Sequence, residues 1–322
     1  MHSLSKLIPV AALAAGIALG PTLVAAKDVT LAVMPAGMDT FGTAVARGFS
    51  EEAKVLGFEP VVIDSQWSAE KMSNGIDDLI VQGVDGIAIL PIDSVAATSW
   101  VDKLVDAKIP VIGAGSLIGD PAKMKQTDVY PGLAAYVNAD EIATASLAGE
   151  LAAKVLPKDR KAKIVIIEGA PGYAVNDYRQ EGFEQGLKKA GVDYEIVADQ
   201  PTDWSVEKGE AVCQNILTAN PDVDIIFTTA DPMAVGCANA VTQMGSKAQV
   251  MATAGGMKIG NDAIASGAML ASTCFKPETM GRLAARALYE AATKPDTPKG
   301  KFVSYDAPVV TRDTLSGCVA EW

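Results

Sequence analysis

Histidine occurs once in the 322 residues, at position 2, and nowhere after it. That absence removes Ser-His-Asp and Cys-His catalysis and every imidazole metal site from the rest of the chain. Carboxylate or lysine chemistry survives it. The four cysteines, Cys213, Cys237, Cys274 and Cys318, lack the short paired spacing of zinc or dithiol redox motifs. No Gly-x-x-x-x-Gly-Lys-Ser/Thr run occurs to cradle phosphates, and no EF-hand spacing of acids to hold calcium. Basic charge is also scarce: 27 Lys and Arg face 39 Asp and Glu, a net of −12. An acidic surface argues against nucleic acid and anionic membranes, which need basic patches. No cofactor is expected. Charges are scattered and no long low-complexity segment interrupts them, as in a packed globular protein.

The beginning of the chain is unlike the rest. Lys6 precedes an Ala-rich apolar stretch, Leu7 to Leu19, followed by Gly20-Pro21 and the small residues Ala25-Ala26. This pattern predicts an export signal over residues 1–26, cleaved after Ala26. The apolar run is shorter than the ~20 residues of a membrane span. No cysteine stands near the cut to take a lipid, so a free protein in a Gram-negative periplasm is expected. In an oxidising compartment four cysteines point to disulfides, with three possible connectivities. Cys213 and Cys237 fall on consecutive expected helices, and Cys274 and Cys318 fall near the end of the fold. This favours 213–237 with 274–318; buried free thiols are the alternative.

From Asp28 onward, apolar runs bounded by turn residues alternate with helical patterns. The strand candidates are VTLAVM, FEPVVID, DGIAIL, IPVIGAG, KIVIIEG, DYEIVAD, DIIFTT, QVMATAG and MLASTCF. Repeated βα units force parallel sheets with helices on both faces, an α/β fold. The chain also repeats itself: RGFSEEAKVLGFEPVVIDSQW from Arg47 parallels EGFEQGLKKAGVDYEIVADQPTDW from Glu181. In each copy a phenylalanine, Phe49 or Phe183, stands eight residues before a glycine, Gly57 or Gly191. Two domains of one topology are therefore expected, residues 27–137 with 276–305 and residues 138–275 with 306–322. The amphipathic stretch Glu278 to Ala292 would return to the first domain. Crossings near Asn138, Phe275 and Asp306–Val309 would make a hinge.

Several segments carry a resemblance in their order and spacing: Lys27-Asp28 with the first strand, Asp64-Ser65-Gln66, and GAPGYAVNDYRQEGF from Gly169. ADQPTDWSVEKGEAVCQNIL, NPDVDIIFTTADPMAVG and QVMATAGG continue it. Across almost the whole chain after residue 26, the sequence resembles the ribose-type periplasmic solute-binding proteins of ABC transporters. The resemblance implies the type I fold of that family, two similar doubly wound parallel-sheet domains joined by a three-crossing hinge. It also implies a cleft in which aromatic rings sandwich a sugar and polar side chains bind its hydroxyls. Related repressors carry a DNA-binding helix-turn-helix where this chain has its export signal.

Carried over position by position, the family's site implies Asp39 and Phe41 from the first domain and Trp204 from the second. Tyr173 and Arg179 are further candidates. Other positions depart from the family: Gly115-Ser116 replaces an Asp-Arg pair, Asp177 an arginine, Ala230 an asparagine, Gly255 an aspartate and Phe275 a glutamine. Ribose itself is thus not the expected ligand, although Ser116, Asp177 and Phe275 stay on the list of ligand contacts. Each has a plainer reading. Phe41 would finish the first core, Asp39 would cap a helix, and Trp204 would pack a helix start capped by Asp203 or Ser205. Asp177 would be a solvated face and Phe275 hinge packing. Asp231 before Pro232 reads as an N-cap with proline first in the helix. The loop Gly113 to Gly119 has the wrong spacing for a dinucleotide fingerprint, and Asp77-Asp78 reads as solvated surface.

The expectation is a non-enzymatic, monomeric binding protein that holds a small sugar or polyol by hinge closure and delivers it to an inner-membrane ABC permease. The alternatives are an amine-bearing solute held by Asp39 and Asp177, a sensor module for a receptor kinase, and a carboxylate enzyme acting on glycosides.

Overall fold

Two six-stranded sheets organise residues 29–294 and 296–322, which the computed structural model describes. The expected export signal and Lys27-Asp28 lie outside these residues. The first domain opens with β1 (Thr30–Met34), α1 (Thr40–Leu56), β2 (Glu59–Val62), α2 (Ala69–Gln82), β3 (Gly86–Ile89), α3 (Ala97–Asp106), β4 (Val111–Ala114) and β5 (Ala135–Val137). The second follows with α4 (Glu141–Ala152), β6 (Ala162–Glu168), α5 (Ala174–Lys189), β7 (Tyr194–Pro201) and α6 (Val206–Ala219). It continues with β8 (Ile225–Thr228), α7 (Asp231–Met244), β9 (Gln249–Ala252), α8 (Lys258–Ser266) and β10 (Ala271–Thr273). Then come α9 (Pro277–Thr293), β11 (Lys301–Val303) and β12 (Val309–Thr311).

The first sheet has the order β2-β1-β3-β4-β5-β11, all parallel. The second repeats it as β7-β6-β8-β9-β10-β12, with only the β10–β12 pair antiparallel. The chain thus passes between the sheets after β5, after β10 and after β11. The three short strands β5, β11 and β12 were not among the sequence candidates. Both sheets change winding direction beside their first strand, between β1 and β3 and between β6 and β8. Open α/β sheets hold ligands at the carboxyl ends of the strands at such points.

Strand β1 is apolar without alternation because both faces are covered. Leu31 and Val33 join one buried cluster with Val45 and Phe49 of α1, whereas Ala32 and Met34 join another with Met72 and Leu79 of α2. In β6, Val165 and Ile167 face one way, and Ile164 and Ile166 the other. Each fully buried aliphatic side chain of this size contributes roughly 1.5–3 kcal/mol. Disulfides join Cys213 of α6 to Cys237 of α7, and Cys274 to Cys318.

Helix α9 follows the second domain's last parallel strand yet packs on α1 of the first. Glycines allow the approach: a Cβ on Gly48 would overlap the Glu278 carbonyl, and one on Gly281 the Val45 carbonyl. Backbone cannot swing aside, so Gly48→Ala must push the two helices apart. A loss of about 1–3 kcal/mol is expected, the usual cost of overpacking. The check is a lower urea midpoint at unchanged slope; an unchanged midpoint would refute the close packing.

Candidate functional site

The loops after both sets of strands enclose a cavity of about 180 Å³ between the domains. On the first domain, Gly37 follows β1, Pro91 follows β3 and Ser116 follows β4. On the second, Tyr173 follows β6, Ala230 follows β8 and Met257 follows β9; all six line the cavity. Asp39 does two jobs at its rim. Its carboxylate accepts from the Gly42 N–H at 2.8 Å, capping α1 in an extended backbone conformation, and it also lines the cavity. Phe41 projects from the first turn of that helix into the same space.

Two tryptophans occupy equivalent places in the duplicated halves. Trp67 follows β2 and Trp204 follows β7, each with positive φ (57° and 68°). Each immediately precedes a serine that caps the next helix: Ser68 accepts from Lys71 N–H, and Ser205 from Lys208 N–H. Each indole lies directly on a glycine that follows the first strand of its own domain. A Cβ on Gly37 would overlap Trp67, and one on Gly169 would overlap Trp204. Tyr173 spans the gap between them, edge to face with Trp67 at 6.4 Å and with Trp204 at 6.1 Å. Deeper in, Phe41, Phe275 and Trp322 pack together, Phe41 lying 6.3 Å from Phe275 and 5.6 Å from Trp322.

The polar side chains are few. Asp39 opens to the cleft, yet enough protein surrounds it that burial raises its pKa against the lowering effect of the Gly42 and Phe41 N–H groups. Burial, and then the charges of Asp39 and Asp93, raise the Tyr173 hydroxyl, which therefore stays a hydrogen-bond donor. Arg179 reaches the cavity, but its guanidinium is engaged elsewhere. Its Nε and Nη2 donate to the two Glu141 oxygens, each at 2.8 Å, and Nη1 donates to the Thr229 carbonyl at 3.0 Å. Its Cζ sits 5.6 Å from the Phe275 ring centre. A ligand thus meets the edge of a neutralised pair rather than a free cation.

Of the sequence candidates, Phe41, Asp39, Trp204, Phe275, Ser116, Arg179 and Tyr173 all line the cavity. Asp177 does not. It is exposed on α5, whose buried side carries Val175, Asn176, Tyr178 and Arg179, and the solvated-face reading is the correct one there. Asp231 also departs from expectation. Ala230 is the N-cap of α7, and Asp231 is turned fully inward. Its carboxylate accepts from Ser272 Oγ at 2.5 Å and from Met257 N–H at 3.3 Å, in space left by Gly255 and Gly260. It thereby ties the loop carrying Met257 to the start of α7.

Burial pushes the Asp231 pKa up to about 7, outweighing the lowering hydrogen bonds from Ser272, Met257 and Gly256. The folded protein then holds this proton over a range where the unfolded chain, with an ordinary carboxylate, has lost it. The stabilisation is complete below about pH 4 and is lost as pH rises through 7. The melting temperature of the native protein relative to Asp231→Asn is expected to fall steadily from pH 4 to pH 8. Parallel profiles for the two proteins would refute the assignment.

Trp67 and Trp322 were missed. For Trp67 the signal was present: WSAEK at 67–71 repeats as WSVEK at 204–208, so a site role for Trp204 implied one for Trp67. Trp322 gave none, since its place depends on long-range pairing. Among the described residues no group of three or more His, Cys, Asp or Glu is placed to hold a metal, and no helix is long and apolar enough to cross a membrane.

Residues 31–296 match the family described as periplasmic binding protein domain. A ribose import binding protein of Salmonella typhimurium is 31% identical over 282 residues, covering 87% of this chain and 89% of that one. An ABC transporter solute-binding protein from Bacillus halodurans, solved with bound myo-inositol, matches with a TM-score of 0.80 at 21% identity. The match covers 92% of this chain and 98% of that one. The Caulobacter myo-inositol binding protein, bound to myo-inositol, matches with a TM-score of 0.79 at 25% identity, covering 90% and 95%.

Proposed function

The chain belongs to the periplasmic binding protein family, and from that premise we propose that it is the solute-binding component of an ABC importer. It works in the periplasm as a monomer after export, with residues 1–26 removed. It captures a small sugar or polyol between its domains and presents the closed form to a permease in the inner membrane. The observation that carries this reading is the pair of facing aromatic walls, Phe41 and Trp67 on one domain against Tyr173 and Trp204 on the other. Aromatic planes stack on the C–H faces of a sugar or cyclitol, and a few polar groups then fix its orientation. Contacts made from both sides favour the closed form, and that differential affinity alone drives closure. The solute leaves unchanged.

The polar set of Asp39, Thr40, Ser116 and the Tyr173 hydroxyl is short for a hydroxyl-dense pentose. It supports a deoxy sugar, a branched sugar or a polyol that needs fewer polar anchors ahead of ribose. Among the described residues no lysine or arginine pairs with Asp39. That favours, as a second reading, a solute bearing an amine.

A thermal-shift screen of the exported protein, freed of any bound solute, tests both readings. The panel is D-ribose, D-allose, myo-inositol, deoxy sugars and small amines. A ligand at ~1,000 times its dissociation constant adds about 4 kcal/mol of stability. A shift with a sugar or cyclitol supports the first reading, a shift with amines alone supports the second, and silence across the panel rejects both.

A further inference from the structure

Residues 318–322 cross back from the second domain to the first, a passage additional to the three made by the sheets. Cys318 is fixed in the second domain by its bond to Cys274, next to the cavity residue Phe275. Three residues later the chain lies on the first domain. Helix α9 begins at Pro277 with no side-chain cap of its own. Glu321 supplies one from outside: its carboxylate accepts from Thr279 N–H at 2.9 Å and from Thr279 Oγ1 at 2.7 Å. Arg47 of α1 donates to the Glu321 carbonyl at 2.7 Å. A carboxylate on unpaired N–H groups at a helix start is a charge-assisted contact favoured by the helix dipole.

Trp322 then enters the cavity. Its ring meets Phe41 of the first domain and Phe275 at the crossing, and its Nε1–H donates to the carbonyl of Gly255, in the second-domain loop after β9. One side chain thereby touches both domains and lines the space a solute would fill. We propose that residues 318–322 form a latch whose Trp322 is a specificity-determining wall of the binding site. Glu321 holds the latch to α9, and the Cys274–Cys318 bond holds its other end. The inference rests on the solute-binding reading for the role of Trp322, but not for the docking of Glu321.

The test uses the full exported chain, with D-allose and myo-inositol as calorimetric probes and hydrogen exchange at the Thr279 amide as a ligand-free readout. Trp322→Ala is expected to weaken the probe that the native protein binds by about tenfold or more, and Trp322→Phe by no more than about threefold. Glu321→Ala, and separately Cys274→Ser with Cys318→Ser, are expected to speed Thr279 exchange at least about tenfold, as for a lost charge-assisted hydrogen bond. Native affinity retained in Trp322→Ala overturns the wall. Unchanged Thr279 exchange in the Glu321 variant overturns the latch. If native protein binds neither probe, the reading of the solute is what fails for that panel. Thr279 exchange then decides the latch by itself.

Discussion

Arg179→Ala is expected to cost about 3–5 kcal/mol of unfolding free energy, a large share of what a domain has to lose. The substitution removes no exposed pair. Arg179 and Glu141 are 6% and 1% exposed, and the guanidinium is both the counter-charge of Glu141 and the donor to the carbonyl of Thr229, just after β8. Alanine leaves the Glu141 carboxylate buried with only a long contact, 3.5 Å, from Asn138 Nδ2. It also opens space under Phe275. Glu141→Ala is expected to cost a similar amount, because it strands the arginine instead. Replacing both, by Arg179→Met with Glu141→Leu, removes both charges at similar volume and should recover part of either loss. Urea unfolding of the three variants closes the cycle. Single losses under about 1 kcal/mol would mean the pair is solvated, contrary to its burial.

This pair also shows how far the residues alone could be read. The resemblance pointed to Arg179 as a ligand contact, and the cavity does reach it. What could not be read was its partner. Glu141 is 38 positions away, and its inward aim depends on α4 and α5 packing closely along Gly149, Gly182 and Gly186. Asp177 failed for a related reason: two positions along a helix is more than half a turn, so 177 and 179 cannot face the same way. Asp231 failed because N-cap and first helical position differ by one residue, and burial chose the second.

The elements that were legible had a local cause. The runs at β1, β3, β6 and β8 are apolar because helices cover both faces, and the duplicated Phe and Gly mark matching helices α1 and α5. Strands β5, β11 and β12 have three residues each and exist because a sheet edge was there to pair with. The return of α9 to the first domain was legible from its amphipathic length. The glycines that let it seat on α1 acquire meaning only beside one another. The site follows the same division: aromatics set in repeated motifs can be found, whereas a tryptophan delivered by a disulfide-fixed tail cannot.

Trp204→Ala is expected to reduce affinity for the bound solute by about 30-fold to 1,000-fold, the range for a central aromatic anchor. Trp67→Ala should fall short of that. Trp67 is 50% exposed, whereas Trp204 is more enclosed and also packs on its own domain's core. Removing both is expected to abolish measurable binding while each domain keeps its fold, since neither ring lies deep in a core. A subtler variant separates stacking from mere filling of space. Gly169 carries the face of the Trp204 indole, and a single methyl there overlaps the ring. Gly169→Ala keeps the tryptophan and its area but displaces its plane. If the plane matters, as stacking on a sugar or cyclitol face requires, Gly169→Ala should approach Trp204→Ala in affinity. If Trp204 only excludes water, Gly169→Ala should bind nearly as well as the native protein. Calorimetric titration of the three variants with the solute found in the screen distinguishes the outcomes. Native affinity in Trp204→Ala itself would remove the aromatic sandwich from the account of this cleft.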